Sequence, residues 1–143
     1  MKIRDLMTTE IETVTADQTA KEAAAFMLSA DTGSIPVCDE SKKIIGMITD
    51  RDIAVRGVAE GRGPETAVRD LMSDKIICAN EDDEVAAIAQ KMSDSQVRRL
   101  PVVDANDKLV GMVSLGDLSR EADNGAASKA LEGVSAAGSQ HQQ

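Results

Sequence analysis

Aromatic side chains are nearly missing from this 143-residue chain, which has one Phe, no Tyr and no Trp. That removes the platforms on which single-stranded nucleic acid stacks. A formal net charge of −9 likewise denies a phosphate backbone the cationic surface it needs. No nucleic-acid partner is expected. Histidine is reduced to His141, close to the end of the sequence, so the folded part offers neither an imidazole base nor a His-containing metal site. Cys38 and Cys78 lack CxxC spacing and read as buried free thiols, a disulfide between them being unusual in a reducing compartment. No apolar run is long enough to cross a bilayer, and Met1-Lys2-Ile3-Arg4-Asp5 lacks the apolar core of a secretory signal, so a cytoplasmic chain without a membrane partner is expected. There is no Ser or Cys beside a base, no metal-ligand cluster and no Walker or Rossmann glycine loop. These absences predict no enzyme, no catalytic residue, no metal and no required cofactor.

What the sequence does have is a repeat. Ile3-Arg4-Asp5-Leu6-Met7-Thr8 returns as Val68-Arg69-Asp70-Leu71-Met72-Ser73, 65 residues on, and the offset then holds without a gap. Asp17 matches Asp82, Pro36-Val37 match Pro101-Val102, Gly46-Met47 match Gly111-Met112, and Asp52 matches Asp117. Two copies are too few for a solenoid, which needs at least about three. A closed pair about a pseudo-two-fold axis is the alternative.

Each copy reads as a helical turn, strand, helix, strand, strand, helix. Ala20, Ala23, Ala24 and Met27 lie at helical spacing, as do Val85, Ile88, Ala89 and Met92, so both copies bury the same stripe. Thr19 and Glu22 form a capping-box start, and Asp82-Asp83 supply a cap for the second helix. Ile35–Cys38 and 100–103 are apolar strands that turn through Asp39-Glu40-Ser41 and Asp104-Ala105-Asn106-Asp107 into return strands at 44–48 and 109–113. Closing helices follow at 50–60 and 115–123. The predicted organisation is a first repeat at 1–60, a Gly/Pro linker at 61–66, a second repeat at 67–124 and a low-complexity, frayed or disordered tail at 125–143.

At the end of each return strand stands a glycine, then a hydroxyl residue, then an aspartate: Gly46-Met47-Ile48-Thr49-Asp50-Arg51-Asp52 and Gly111-Met112-Val113-Ser114-Leu115-Gly116-Asp117. One reading is a helix start, with Thr49 or Ser114 capping and the aspartate in the first turn. The other is a ligand site, in which hydroxyl and free N–H groups face a phosphate and the carboxylate takes two ribose hydroxyls. The two are compatible.

The Met-Thr/Met-Ser turn after Arg-Asp-Leu, the apolar-Pro-Val strand and the Gly-x-x-Thr/Ser-x-x-Asp ending, in that order and twice over, resemble paired cystathionine β-synthase (CBS) domains, or a Bateman module. The resemblance covers about 3–123. Thr49-Asp50-Arg51-Asp52-Ile53 and Val97-Arg98-Arg99-Leu100-Pro101-Val102 are also similar to small stand-alone bacterial proteins of the hypoxic-response type. It implies an α/β (α+β) fold of two βαββα repeats, sheets packed together with helices outside, binding adenosine ligands in two clefts between the repeats. Carried over by residue, one cleft would use Asp52 for ribose and Thr49 for phosphate, with Ser73, Cys78 and the Arg98-Arg99-Leu100 backbone. The other would use Asp117 and Ser114, with Thr8, Thr13 and the Gly33-Ser34-Ile35 backbone. A homodimer is expected on the same ground, with an unidentified protein target.

The copies differ at Gly33-Ser34 against Arg98-Arg99 and at Asp50-Arg51 against Leu115-Gly116. If the clefts are built as the family implies, Arg51, Arg98 and Arg99 offer guanidinium forks to a phosphate at the Asp52 cleft, predicting that it is the better nucleotide site. The alternative for these arginines is salt-bridging on a surface with 25 acidic residues. The leading functional expectation is a sensor of adenylate state binding AMP, ADP or ATP, with S-adenosylmethionine or NAD(H) as other ligands. The runner-up is a dimeric interaction scaffold with vestigial clefts, and a redox role for the cysteines is a third reading.

Overall fold

A computed structural model describes residues 1–121; the expected tail, His141 and the end of the closing helix lie outside them. The fold is mixed α/β and divides into two compact units, Glu12–Ile76 and Met1–Ile11 together with the chain from Ile77 onward. No helix among the described residues is long and apolar enough to cross a membrane.

In the unit Glu12–Ile76, helix α1 (Ala20–Ala30) starts at the expected capping box. The Thr19 hydroxyl accepts from Glu22 N at 3.2 Å, and the Glu22 carboxylate accepts from Thr19 N at 3.2 Å. Ala20, Ala23 and Met27 are buried, but Ala24 is exposed, a correction to the expected stripe. A rotation of about 100° per residue puts it at the stripe's edge, where a methyl group is too short to reach the core. Strand β1 (Ser34–Cys38) pairs antiparallel with β2 (Ile44–Thr49), Ser34 opposite Thr49. Their turn is held by Asp39, whose Oδ1 accepts from Ser41 N (2.8 Å) and Lys43 N (3.0 Å), while Lys42 takes the left-handed region at φ 66°. Pro36 has no N–H to give, but its carbonyl accepts from Val14 N at 3.1 Å. The expected helix at 50–60 is helical throughout with changing pitch: α2 (Asp50–Asp52), a π turn at Ile53–Gly57 and a 3-10 turn at Val58–Glu60, stopped by Gly61 at φ 75°.

In the other unit, β3 (Ala79–Asn80) runs parallel to β4 (Arg99–Val103), which pairs antiparallel with β5 (Leu109–Ser114). Helix α3 (Val85–Ser95) buries Val85, Ile88, Ala89 and Met92, as the spacing predicts. Its expected cap is corrected: Glu84 holds the cap position without a side-chain bond. Asp83 instead accepts from Asn80 N at 2.9 Å, and Asp82 pairs with Arg4. Helix α4 (Leu115–Arg120) closes the described chain.

The units are out of phase with the sequence repeat. The 3-10 turn Ile3–Asp5 opens the first copy, yet Ile3 is buried with Ala79, Ile88 and Leu100 of the second. Val68 and Leu71 open the second copy, yet pack with Val14, Ala23, Ile35 and Ile48 of the first. The ion pairs follow the same exchange, Arg69 with Asp17 and Arg4 with Asp82. So do backbone bridges: Thr8 N donates to Met112 O (2.8 Å), and Ser73 N to Met47 O (2.9 Å).

Candidate functional site

Both hydroxyl–aspartate corners are built as capping boxes. Thr49 Oγ1 accepts from Asp52 N at 3.0 Å, and Asp52 Oδ2 accepts from Thr49 N at 3.0 Å. Ser114 Oγ accepts from Asp117 N at 3.1 Å, and Asp117 Oδ2 accepts from Ser114 N at 2.8 Å. Each hydroxyl therefore keeps one proton to donate, and each carboxylate keeps Oδ1 for another partner. The box fixes the side chains in place before any ligand arrives, which leaves room for both sequence readings.

The Oδ1 atoms have different neighbours. Asp117 Oδ1 accepts from the guanidinium of Arg120, and its side chain is 7% exposed. Asp52 Oδ1 stands 3.8 Å from Arg56 Nε, beyond hydrogen-bond reach, with the side chain 16% exposed. Arg56 is held off because its Nη1 donates to Leu71 O (3.2 Å) and Met72 O (3.0 Å). Sequence reasoning missed Arg56; its i, i+4 spacing from Asp52 was visible, but its carbonyl partners lie in a turn far along the chain.

That turn sets Ser73 beside the strand. A Cβ on Gly46 would come within 2.8 Å of Ser73 O, and one on Gly111 within 2.9 Å of Thr8 O, so the strand glycines allow the turns to approach. In the unit Glu12–Ile76, Ser34 faces Thr49 across the hairpin, Gly33 O accepts from Asp50 N at 2.9 Å, and Ser73 pairs at Met47. Ile35 is fully buried in β1, and Arg51 and Thr13 are exposed. In the other unit, Arg99 faces Ser114, Arg98 O accepts from Leu115 N at 2.7 Å, Thr8 pairs at Met112 and Leu100 is fully buried. Cys78 is half-buried just before β3. The structure thus gathers Ser34, Thr49, Asp52 and Ser73 in one unit and Thr8, Arg99, Ser114 and Asp117 in the other. Cys78, Arg98, Arg99 and Leu100 fall in a different unit from Asp52, and Thr13, Gly33, Ser34 and Ile35 in a different unit from Asp117.

Among the described residues, Arg51 and Arg98 have no carboxylate within ion-pairing distance. Both cysteines are free. Burial, then the neighbouring Asp39 charge, pushes the Cys38 thiol up to about 11. Burial also raises that of Cys78, opposed by Lys91. Among the described residues no three His, Cys, Asp or Glu side chains are grouped to hold a metal ion.

The CBS domain model matches residues 3–57 and again 68–124. The CBS domain-containing protein YhcV of Bacillus subtilis is 42% identical over 134 residues, 93% of this chain and 94% of the relative. The crystal structure of Hypoxic Response Protein I with two coordinated zinc ions superposes with a TM-score of 0.77 at 32% identity, over 84% of this chain and 98% of that one. The CBS domain pair of protein MJ0100, in complex with 5-methylthioadenosine and S-adenosyl-L-methionine, gives 0.74 at 30% identity, over 85% and 94%. Two family matches in register with the internal duplication, and relatives that run nearly its whole length, settle the family: the chain is a CBS-domain protein with two CBS repeats.

Proposed function

We propose that this chain is a non-catalytic regulatory module that binds adenosine compounds, with Asp52 and Asp117 as ribose anchors and Thr49 and Ser114 donating to phosphate. The observation that carries the reading is the duplicated corner, a pre-set hydroxyl and carboxylate, with one carboxylate oxygen at the Asp52 copy that accepts no hydrogen bond among the described residues and has only the more distant Arg56 Nε beside it, at 3.8 Å. The ligands of the MJ0100 pair, both built on adenosine, support the ligand class. On the family resemblance, Arg51, Arg98 and Arg99 supply guanidinium groups to the phosphate at the Asp52 site, and AMP, ADP or ATP makes the module a reader of energy state. Ligand binding regulates only by favouring one conformation or assembly over another. A homodimer is the proposed assembly, and Leu28 on α1 and Val58 on the 3-10 turn Val58–Glu60, 86% and 71% exposed, are apolar residues it would cover. A cytoplasmic setting fits two cysteines that remain thiols.

Calorimetric titration with AMP, ATP and S-adenosylmethionine tests the reading. Binding of at least one is expected, reduced to a single weaker site in Asp52→Ala and weakened for ATP in Arg98→Ala. A second reading, an interaction scaffold with vestigial sites, is favoured by one observation: both aspartates already serve as helix caps. It would prevail if no adenosine compound at millimolar concentration raised the melting temperature.

A further inference from the structure

The two carboxylates are equivalent in sequence, in strand position and in capping, but the arginine that follows each one stands at a different step. Arg56 lies four residues after Asp52, and at the matching place after Asp117 the second copy has Glu121. Its arginine comes one residue earlier, at Arg120, matching Val55. Arg56 lies in the π turn at Ile53–Gly57 and Arg120 at the end of an α-helix, so a difference of one step in register and a difference in pitch together decide where each long side chain can reach. Arg56 passes its carboxylate and spends Nη1 on Leu71 O and Met72 O. Arg120 turns back along its own helix and donates to Asp117 Oδ1. With Oδ2 accepting from Ser114 N, both oxygens of Asp117 are taken by groups of its own unit.

We infer that Arg120 is a built-in competitor at the second site, occupying the carboxylate oxygen a ribose hydroxyl would need, so that the module binds adenosine ligand first at Asp52. The inference rests on the reading of both aspartates as ribose anchors. A diol and a guanidinium are alternative donors to the same oxygen, and a carboxylate only 7% exposed has little space to receive both. The Arg120 side chain is 71% exposed, so it can leave without disturbing the core. Its displacement is therefore a modest barrier. A ligand at high concentration would fill the second site after the first, giving two affinities from one duplicated sequence.

The test is calorimetry with AMP and S-adenosylmethionine on the full chain, as wild type, Asp52→Ala, Asp52→Ala/Arg120→Gln, and Arg120→Val/Glu121→Arg, which moves the arginine to the first copy's register. Thermal melts confirm that each variant is folded. Wild type should show one strong site and a weaker second. Asp52→Ala should retain only the weak site, and adding Arg120→Gln should tighten it by about two- to fivefold, the worth of a partly exposed ion pair. The register-shifted variant should bring the two affinities together. Binding in wild type that is lost in Asp52→Ala and not regained with Arg120→Gln overturns the competitor while leaving the Asp52 site standing. Binding by none of the four overturns both.

Discussion

At the residue scale, Cys38 shows how burial settles a question of chemistry. The thiol is 7% exposed, and loss of solvent raises its pKa to about 11, with Asp39 adding to the same direction. Thiolate, not thiol, is the nucleophile, so iodoacetamide at pH 8 should leave Cys38 unmodified in the folded chain and label it once the chain is unfolded. Rapid native labelling would contradict the burial. The sign of the pH effect follows. The folded state holds this proton more tightly than the unfolded state, so the contribution to stability is complete below the ordinary value of 9.0 and is lost as pH rises through about 11. Urea melts from pH 8 to 11 should fall more steeply for wild type than for Cys38→Ala. The apolar strand around Cys38 made its inertness legible in the sequence. Thr49 and Asp52 were legible too, because a three-residue spacing fixes a capping box locally. Arg56 was not, since the carbonyls it binds are placed by tertiary packing that no spacing reveals.

Elements were legible where local chemistry and the duplication agreed. Thr19 and Glu22 open α1, and the Asp39 and Asp104 turns hold their hairpins through matching bonds to the residues two and four on. Where a side chain had a better partner elsewhere, the local rule failed, as when Asp82 went to Arg4 and Asp83 to Asn80. The return strands carry a glycine for a reason that composition hides. At Gly46 a methyl group would meet the backbone oxygen of Ser73, which cannot swing aside as a side-chain tip would. Gly46→Ala should therefore cost about 1–3 kcal/mol in a urea melt, the usual price of overpacking. Gly116, whose added methyl would find nothing nearer than Ser114 Oγ at 3.5 Å, is the control. As a helical glycine, Gly116→Ala should leave stability unchanged or raise it by up to about 1 kcal/mol. Equal melts for Gly46→Ala and wild type would mean that the turn does not need that close approach.

For the whole molecule, the sequence period and the packing unit begin at different residues, and the difference is measurable. The period starts at Ile3 and restarts at Val68, which makes 1–60 the natural fragment on paper. The core disagrees. Val68 and Leu71 are both fully buried with Val14, Ala23, Ile35, Val37 and Ile48, so a fragment ending at 60 discards two large side chains from its own interior. It also keeps Ile3 and Leu6, whose apolar partners belong to the other unit. A fragment spanning 12–76 retains the full cluster, the Asp17–Arg69 pair and the Ser73 bridge to Met47. At this length only about 60% of the unfolded chain's surface is buried, so losing two core residues removes most of the margin. Circular dichroism with urea should give 12–76 a cooperative transition, with an m-value of about 1 kcal/mol per molar, and 1–60 none. A cooperative 1–60 with an unfolded 12–76 would restore the sequence repeat as the folding unit. Periodicity could not show this exchange, because two near-identical turns satisfy the same pattern whichever copy's strands they pack against.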